Sequence, residues 1–251
     1  MKLKEAVAIV TGGGKGIGKG IAQELTKAGA FVVIAEIDAK SGIRAAEELG
    51  IDNSLFVETD VSDTDSVQNM IRSVADRCGR IDTLVNNAGY HISKSIEETS
   101  EEEWDYIINT NLRSVFLCSK YAIPYLEKTK GAIINMSSMV GLVGQSNAGA
   151  YSATKGGIIA MSKGMAVDFA GSGVRVNVIC PGWIQTPLVE DWFSQQADPE
   201  KARKYIFDSH PLGRIGTVEE CGKAAVFLAS SDSAFITGTT INVEGGITIG
   251  Y

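Results

Sequence analysis

The sequence predicts an α/β fold, a single-domain doubly wound parallel sheet with helices on both faces. Three observations carry that expectation. Short β-branched runs alternate along the whole chain with longer stretches of helical period, and parallel strands need such helical crossovers and are buried on both faces. The first apolar run, AVAIVTG, passes directly into the glycine-rich turn TGGGKGIG and then into a helical pattern. Finally, 44% of the residues are hydrophobic, prolines are few and no Pro-rich, Ser-rich or low-complexity linker interrupts the chain, so residues 1–251 are expected to share one core.

The elements follow in order. AVAIVTG reads as the first strand and IGKGIAQELTKAG as the first helix; FVVIAEID and AKSGIRAAEELG are the second pair. SLFVETDV is followed by a helix near Ser66 to Cys78, and IDTLVNNAG by one long helix from about Glu101 to Tyr125. GAIINMSS leads to the helix of AYSATKGGIIAMSKG, and VRVNVICPG to a long excursion before the helix VEECGKAAVFLAS and the last strand, TGTTINVEGG. The excursion, about residues 183–210, carries Trp192, Phe193 and Phe207 at the spacing of an amphipathic lid over a substrate. This is a Rossmann pattern, in which ligands bind outside the carboxyl ends of the strands.

Composition excludes several classes of partner. A formal charge of −7 and a pI near 5.0 argue against nucleic acid and anionic membrane surfaces, which need clustered Lys and Arg. Cys78, Cys118, Cys180 and Cys221 form no C-x-x-C pair, so free thiols in a reducing compartment are expected. No apolar run is long enough to span a bilayer, and MKLKEAVAIVTGG runs into a strand without a signal-peptide pattern, which points to a cytoplasmic protein. His91 and His210 have no partners at metal-ligand spacing, so no metal is expected.

The strand ends hold the chemistry. Gly12, Gly16 and Gly18 stand at G-x-x-x-G-x-G spacing, with Lys15 and Ile17 in the same turn. Glycines let the backbone approach a pyrophosphate, whose charge the following helix N-terminus stabilises. Glu36 ends the second strand, where a carboxylate can accept from both ribose hydroxyls of an adenosine and repel a 2′-phosphate. Lys15 pulls the other way, because a basic residue can pair with that phosphate. With Glu36 given more weight, NAD is the expected cofactor ahead of NADP. Tyr151 and Lys155 lie four residues apart, one helical turn, on the same face. An unperturbed phenol, with a pKa of about 10, is a poor base at neutral pH, and an ammonium beside it favours the phenolate.

TGGGKGIG, NNAG at Asn86 to Gly89 and YSATK taken together resemble the short-chain dehydrogenase/reductase family over essentially the whole chain. The resemblance implies that Asn111, Ser138, Tyr151 and Lys155 are catalytic: Tyr151 as general base, Ser138 holding the substrate oxygen, Lys155 also binding the nicotinamide ribose, and Asn111 holding a water in a proton path. It further implies that Asp60 and Val61 flank the adenine and that Asn87 and Gly89 support the cofactor. Pro181, Gly182, Ile184 and Thr186, in PGWIQTP, would lie at the nicotinamide. NNAGYH, EETS, PLGRIG and the terminal ITIGY resemble the L-fucose dehydrogenase branch, which implies oxidation of a secondary alcohol, foremost the anomeric hydroxyl of an aldose such as L-fucose.

His91, Gln145 and Trp183 follow strand ends and are candidate substrate contacts beside Ser138. Competing readings are a 3-oxoacyl or other carbonyl reductase using NADPH, a hydroxysteroid dehydrogenase, and a non-catalytic dinucleotide-binding module. Surplus small and apolar residues on the long helix and the Tyr151 helix, together with the family resemblance, suggest a homotetramer, in which Tyr251 could close a neighbouring site.

Overall fold

The computed structural model describes residues 1–249; Tyr251, and with it the expectation for the chain end, lies outside the described residues. Its strands are β1 (Val7–Thr11), β2 (Phe31–Glu36), β3 (Ser54–Glu58), β4 (Thr83–Asn86), β5 (Ala132–Met136), β6 (Arg175–Pro181) and β7 (Thr240–Val243). They form one sheet in the order β3-β2-β1-β4-β5-β6-β7, with every pairing parallel. The order reverses between β1 and β4, so the crevice outside the ends of those two strands is the place for a ligand.

The helices are α1 (Gly16–Lys27), α2 (Ala39–Leu49), α3 (Thr64–Cys78), α4 (Glu101–Ile107), α5 (Ser114–Thr129), α6 (Gly149–Phe169), α7 (Pro187–Ser194), α8 (Pro199–Asp208) and α9 (Val218–Ala229). Two apolar layers sandwich the sheet. Val67, Ile71, Leu117 and Leu126 pack with Ile9, Leu84 and Ile133 on one face; Ile21, Leu25, Ala225 and Leu228 pack with Val10, Ile34 and Ile134 on the other. β1, β4 and β5 are buried along their whole length, which is why they read as unbroken apolar runs.

One element departs from expectation. The single helix expected from about Glu101 to Tyr125 is broken by a π-helical turn, Ile108–Arg113, between α4 and α5. Its wide turn carries Asn111 into the interior, fully buried, where the side chain accepts from Tyr90 N at 2.7 Å and donates to Tyr90 O at 2.8 Å. These bonds to a loop distant in sequence favour the extra residue in the turn, and such bulges often mark functional positions.

Candidate active site

The glycine turn is built by close backbone approach. Gly12 has φ +62°, and a Cβ there would stand 2.9 Å from Ala88 Cα. A Cβ at Gly18 would stand 2.1 Å from the Gly12 carbonyl oxygen, so only glycine lets α1 start against β1. Asn87 braces the turn by donating from Nδ2 to the Thr11 and Gly12 carbonyls at 3.0 and 3.1 Å. The first turn of α1 has no side-chain cap, leaving backbone N–H groups for an anion.

A groove of about 720 Å³ runs over this turn. Gly12, Lys15, Gly16, Ile17, Gly18, Glu36, Asp60, Val61, Asn87, Gly89 and Thr186 line it. The cradle of glycines, the uncapped α1 and an acid at the end of β2 fit an extended dinucleotide. Pro181, Gly182 and Ile184 are not among its lining residues: Pro181 and Ile184 are buried, and Gly182 lies against Glu244. Sequence reasoning missed Tyr90, Tyr106, Thr110, Leu188 and Asp191, which also line the groove. Leu188 and Asp191 had a legible signal, since they share a face of α7 at i, i+3 spacing.

Glu36 is fixed rather than free. Its carboxylate accepts from Gly14 N at 3.2 Å, Ile37 N at 3.0 Å and Asp38 N at 3.2 Å. Lys15 is exposed, but its ammonium pairs with Asp38 at 2.5 Å, and this hydrogen bond raises the lysine pKa. A second cavity of about 690 Å³ beyond Lys15 is lined by Lys19, Lys40 and Arg44. Lys19 and Arg44 are both paired with Glu48.

Tyr151 and Lys155, also expected at the cofactor, do not line the groove; they lie on α6 as their spacing requires, beside Gly89 of its wall, with Lys155 Nζ 5.5 Å from the phenol ring centroid. Lys155 is 5% exposed and donates to the Met136 carbonyl at 2.9 Å. Burial pushes its pKa down to about 8. The expected lowering of the Tyr151 pKa is not what the structure holds: burial pushes the phenol up to about 12, against the opposing hydrogen bond with Ser138. Desolvation penalises both charged forms, and here it outweighs the attraction between them. Ser138 lies two residues beyond the end of β5 and its hydroxyl also accepts from Val140 N at 3.4 Å.

Asn111 ties this cluster to the groove. Besides Tyr90 it donates to Thr154 Oγ1 at 3.3 Å, and a Cβ at Gly89 would lie 3.3 Å from its oxygen and 3.7 Å from Lys155 Nζ. His91 sets its imidazole against the Tyr151 ring, and desolvation, followed by the charge of Lys155, holds its pKa down.

The segment expected as a lid forms two short helices, each with a proline in its first turn and a side-chain cap, Thr186 for α7 and Asp198 for α8. Phe193, Ile206 and Ile215 form its own small core. Beneath it lies a cavity of about 940 Å³ lined by Gln145, Trp183, Trp192, Tyr205, Met139 and Val140, among others. His210 does not line this cavity but is buried beside Ile206 and Ser209, which do, its Nδ1 2.6 Å from the Ile206 carbonyl. Among the described residues no group of three or more His, Cys, Asp or Glu is placed to hold a metal ion, and no helix is long and apolar enough to cross a membrane.

A glycine turn at the sheet's switch point, near half-buried Tyr151 and Ser138 and buried Lys155, defines the site of a dinucleotide-fold oxidoreductase. The family described as Enoyl-(Acyl carrier protein) reductase, adh_short_C2, matches residues 12–248. Bovine (Bos taurus) L-fucose dehydrogenase is 43% identical over 246 residues, 98% of this chain and 90% of that protein. Meso-2,3-butanediol dehydrogenase of Serratia marcescens is 38% identical over 99% of this chain and 96% of its own length. The 3-oxoacyl-(acyl-carrier-protein) reductase FabG of Thermotoga maritima is also 38% identical, over 99% of this chain and the whole of its own. The crystal structure of Cj0485 dehydrogenase superposes with a TM-score of 0.93 at 32% identity, covering 98% of this chain and 95% of that one. The chain belongs to the short-chain dehydrogenase/reductase family, and it is an oxidoreductase acting on alcohol or carbonyl groups with a nicotinamide dinucleotide.

Proposed function

We propose that the protein is an NAD-dependent dehydrogenase that oxidises a secondary alcohol, the anomeric hydroxyl of an aldose such as L-fucose being the substrate it suits best. The observation that carries this reading is the convergence of the Tyr151 phenol, the Ser138 hydroxyl and the buried Lys155 next to Gly89 of the groove, whose lining also holds the fixed Glu36. NAD, when bound, supplies the hydride acceptor.

The chain's own residues do the rest. Ser138 hydrogen-bonds the substrate oxygen beside Tyr151, and Tyr151 takes the proton as the carbonyl forms. A phenol pushed up to about 12 is protonated at rest, so Tyr151 serves as base only after its own proton has passed to solvent, a loss that the ammonium of Lys155 beside the ring favours. Lys155, with a pKa near 8, still carries that charge at neutral pH. Asn111 fixes the Tyr90 backbone and with it Gly89 and His91, a positioning role made by direct hydrogen bonds. Lys155 is also proposed to hold the nicotinamide ribose.

NAD is supported over NADP by two acids, Glu36 and Asp38, where a 2′-phosphate would sit, the second already neutralising Lys15. L-fucose is supported by the bovine relative and by His91 and Gln145 as hydroxyl partners. A hydroxysteroid is the second reading, favoured by the two-tryptophan wall of the roughly 940 Å³ cavity, which has more room than one sugar ring fills. The basic rim of Lys19, Lys40 and Arg44 is what favours an NADPH-linked carbonyl reductase. A cytoplasmic homotetramer is the proposed form; Phe116 on α5 and Val167 on α6 are 48% and 79% exposed, and sedimentation tests the assembly. The deciding experiment is a spectrophotometric screen of aldoses, polyols and hydroxysteroids with NAD and NADP. Turnover of an aldose with NAD at the highest kcat/KM is expected, and a preference for steroid or for NADP overturns the assignment.

A further inference from the structure

We propose that Asp191 is a charge-selecting residue of the dinucleotide groove, favouring the oxidised over the reduced cofactor. The inference rests on the dehydrogenase reading above and adds a direction to it.

Position comes first. α7 leaves the glycine turn, where the Thr186 methyl would lie 3.6 Å from a Cβ at Gly16. It ends beside the lid cavity, whose wall includes Trp192, with a ring centroid 4.9 Å from that of Trp183. Asp191, the residue before Trp192, lines the groove together with Leu188, one turn earlier. It therefore lines the groove on the α7 side, past the glycine turn and toward the cavity that Trp192 walls. Glu36 and Asp60 line the groove too.

Charge comes second. Among the described residues the Asp191 carboxylate has no ion pair and no side-chain hydrogen bond, although Glu190 beside it is paired with Arg203 and Lys15 across the turn with Asp38. Asp191 is thus an uncompensated negative charge at the edge of an anion-binding groove. Hydride transfer removes the positive charge of the nicotinamide ring, making the dinucleotide one unit more negative. Repulsion of the phosphates by Asp191 is common to both forms, but attraction to the ring exists only in the oxidised one. The residue consequently weakens the reduced cofactor more, speeding its departure and poising the site for alcohol oxidation.

The test is the ratio of two affinities, measured by titration of the full chain with NAD and with NADH. In Asp191→Asn the ratio Kd(NADH)/Kd(NAD) should fall about threefold, the scale of one unit charge several ångströms away through solvent. It should fall further in Asp191→Lys and stay at the wild-type value in Asp191→Glu, and the differences should shrink at high salt. A substitution that changes both affinities by the same factor, or neither, overturns the proposal. Running NADP and NADPH in parallel separates the two readings. If a dinucleotide pair binds and the ratio does not move, charge selection alone fails; if no pair binds, the dehydrogenase reading fails with it.

Discussion

The imidazole of His91 meets the ring of Tyr151 edge to face, with centroids 4.7 Å apart and planes at 75°. A positive His91 there would stand beside Lys155, and that charge together with desolvation keeps the ring neutral. A neutral imidazole offers one donor and one acceptor, which suits a sugar hydroxyl next to the one being oxidised. In His91→Phe the edge-to-face packing is kept and the hydrogen bond is lost. KM for an aldose should rise about tenfold, the cost of leaving one bound hydroxyl unpaired, with NAD affinity unchanged. Steady-state kinetics across several sugars checks this; an unchanged KM would remove His91 from the substrate.

The proposed preference for NAD rests on two acids acting together. Glu36→Ala should narrow the kcat/KM gap between NAD and NADP by relieving repulsion of the 2′-phosphate, and Asp38→Asn should narrow it further by freeing Lys15 from the 2.5 Å pair. The double variant is expected to accept NADP best. If Asp38→Asn alone has no effect on either cofactor, Lys15 does not reach the phosphate.

Burial of Lys155 has a signature in stability. The unfolded chain keeps this proton up to the ordinary lysine value of 10.5, whereas the folded protein gives it up near 8. Between those values the unfolded state binds more protons, so this group makes the protein more stable as pH rises through the window. Lys155→Met lacks the effect. The stability of wild type relative to that variant should therefore climb by up to about 3 kcal/mol across the window, measured by urea melts on either side of it. Tyr151, raised above 10.0, works in the opposite sense at higher pH but is common to both chains. A flat difference would mean that Lys155 is not desolvated.

Local pattern made most of this legible. The strands are continuous apolar runs because both faces of the sheet are covered, and the glycine turn, Glu36 and the Tyr151–Lys155 pair follow from spacing alone. The starts of α7 and α8 also announce themselves, through Thr186-Pro187 and Asp198-Pro199. What depends on contacts distant in sequence was hidden. The π-helical turn exists because Asn111 bonds the Tyr90 backbone, 21 residues away. Lys15 is held by Asp38, 23 residues on, and no periodicity shows that pair. Tyr151 is raised rather than lowered because desolvation depends on what covers the side chain, which i, i+4 spacing does not report.

Tyr151 is proposed to remove the substrate proton, and Tyr151→Phe isolates that step. The ring, its contact with His91 and the course of α6 survive the substitution, so NAD should bind with wild-type affinity while kcat falls by several orders of magnitude. Cofactor titration and turnover of the best alcohol are measured on the same preparation. Intact NAD binding with kcat lost is the predicted result; a variant that keeps kcat within tenfold of wild type would contradict the mechanism.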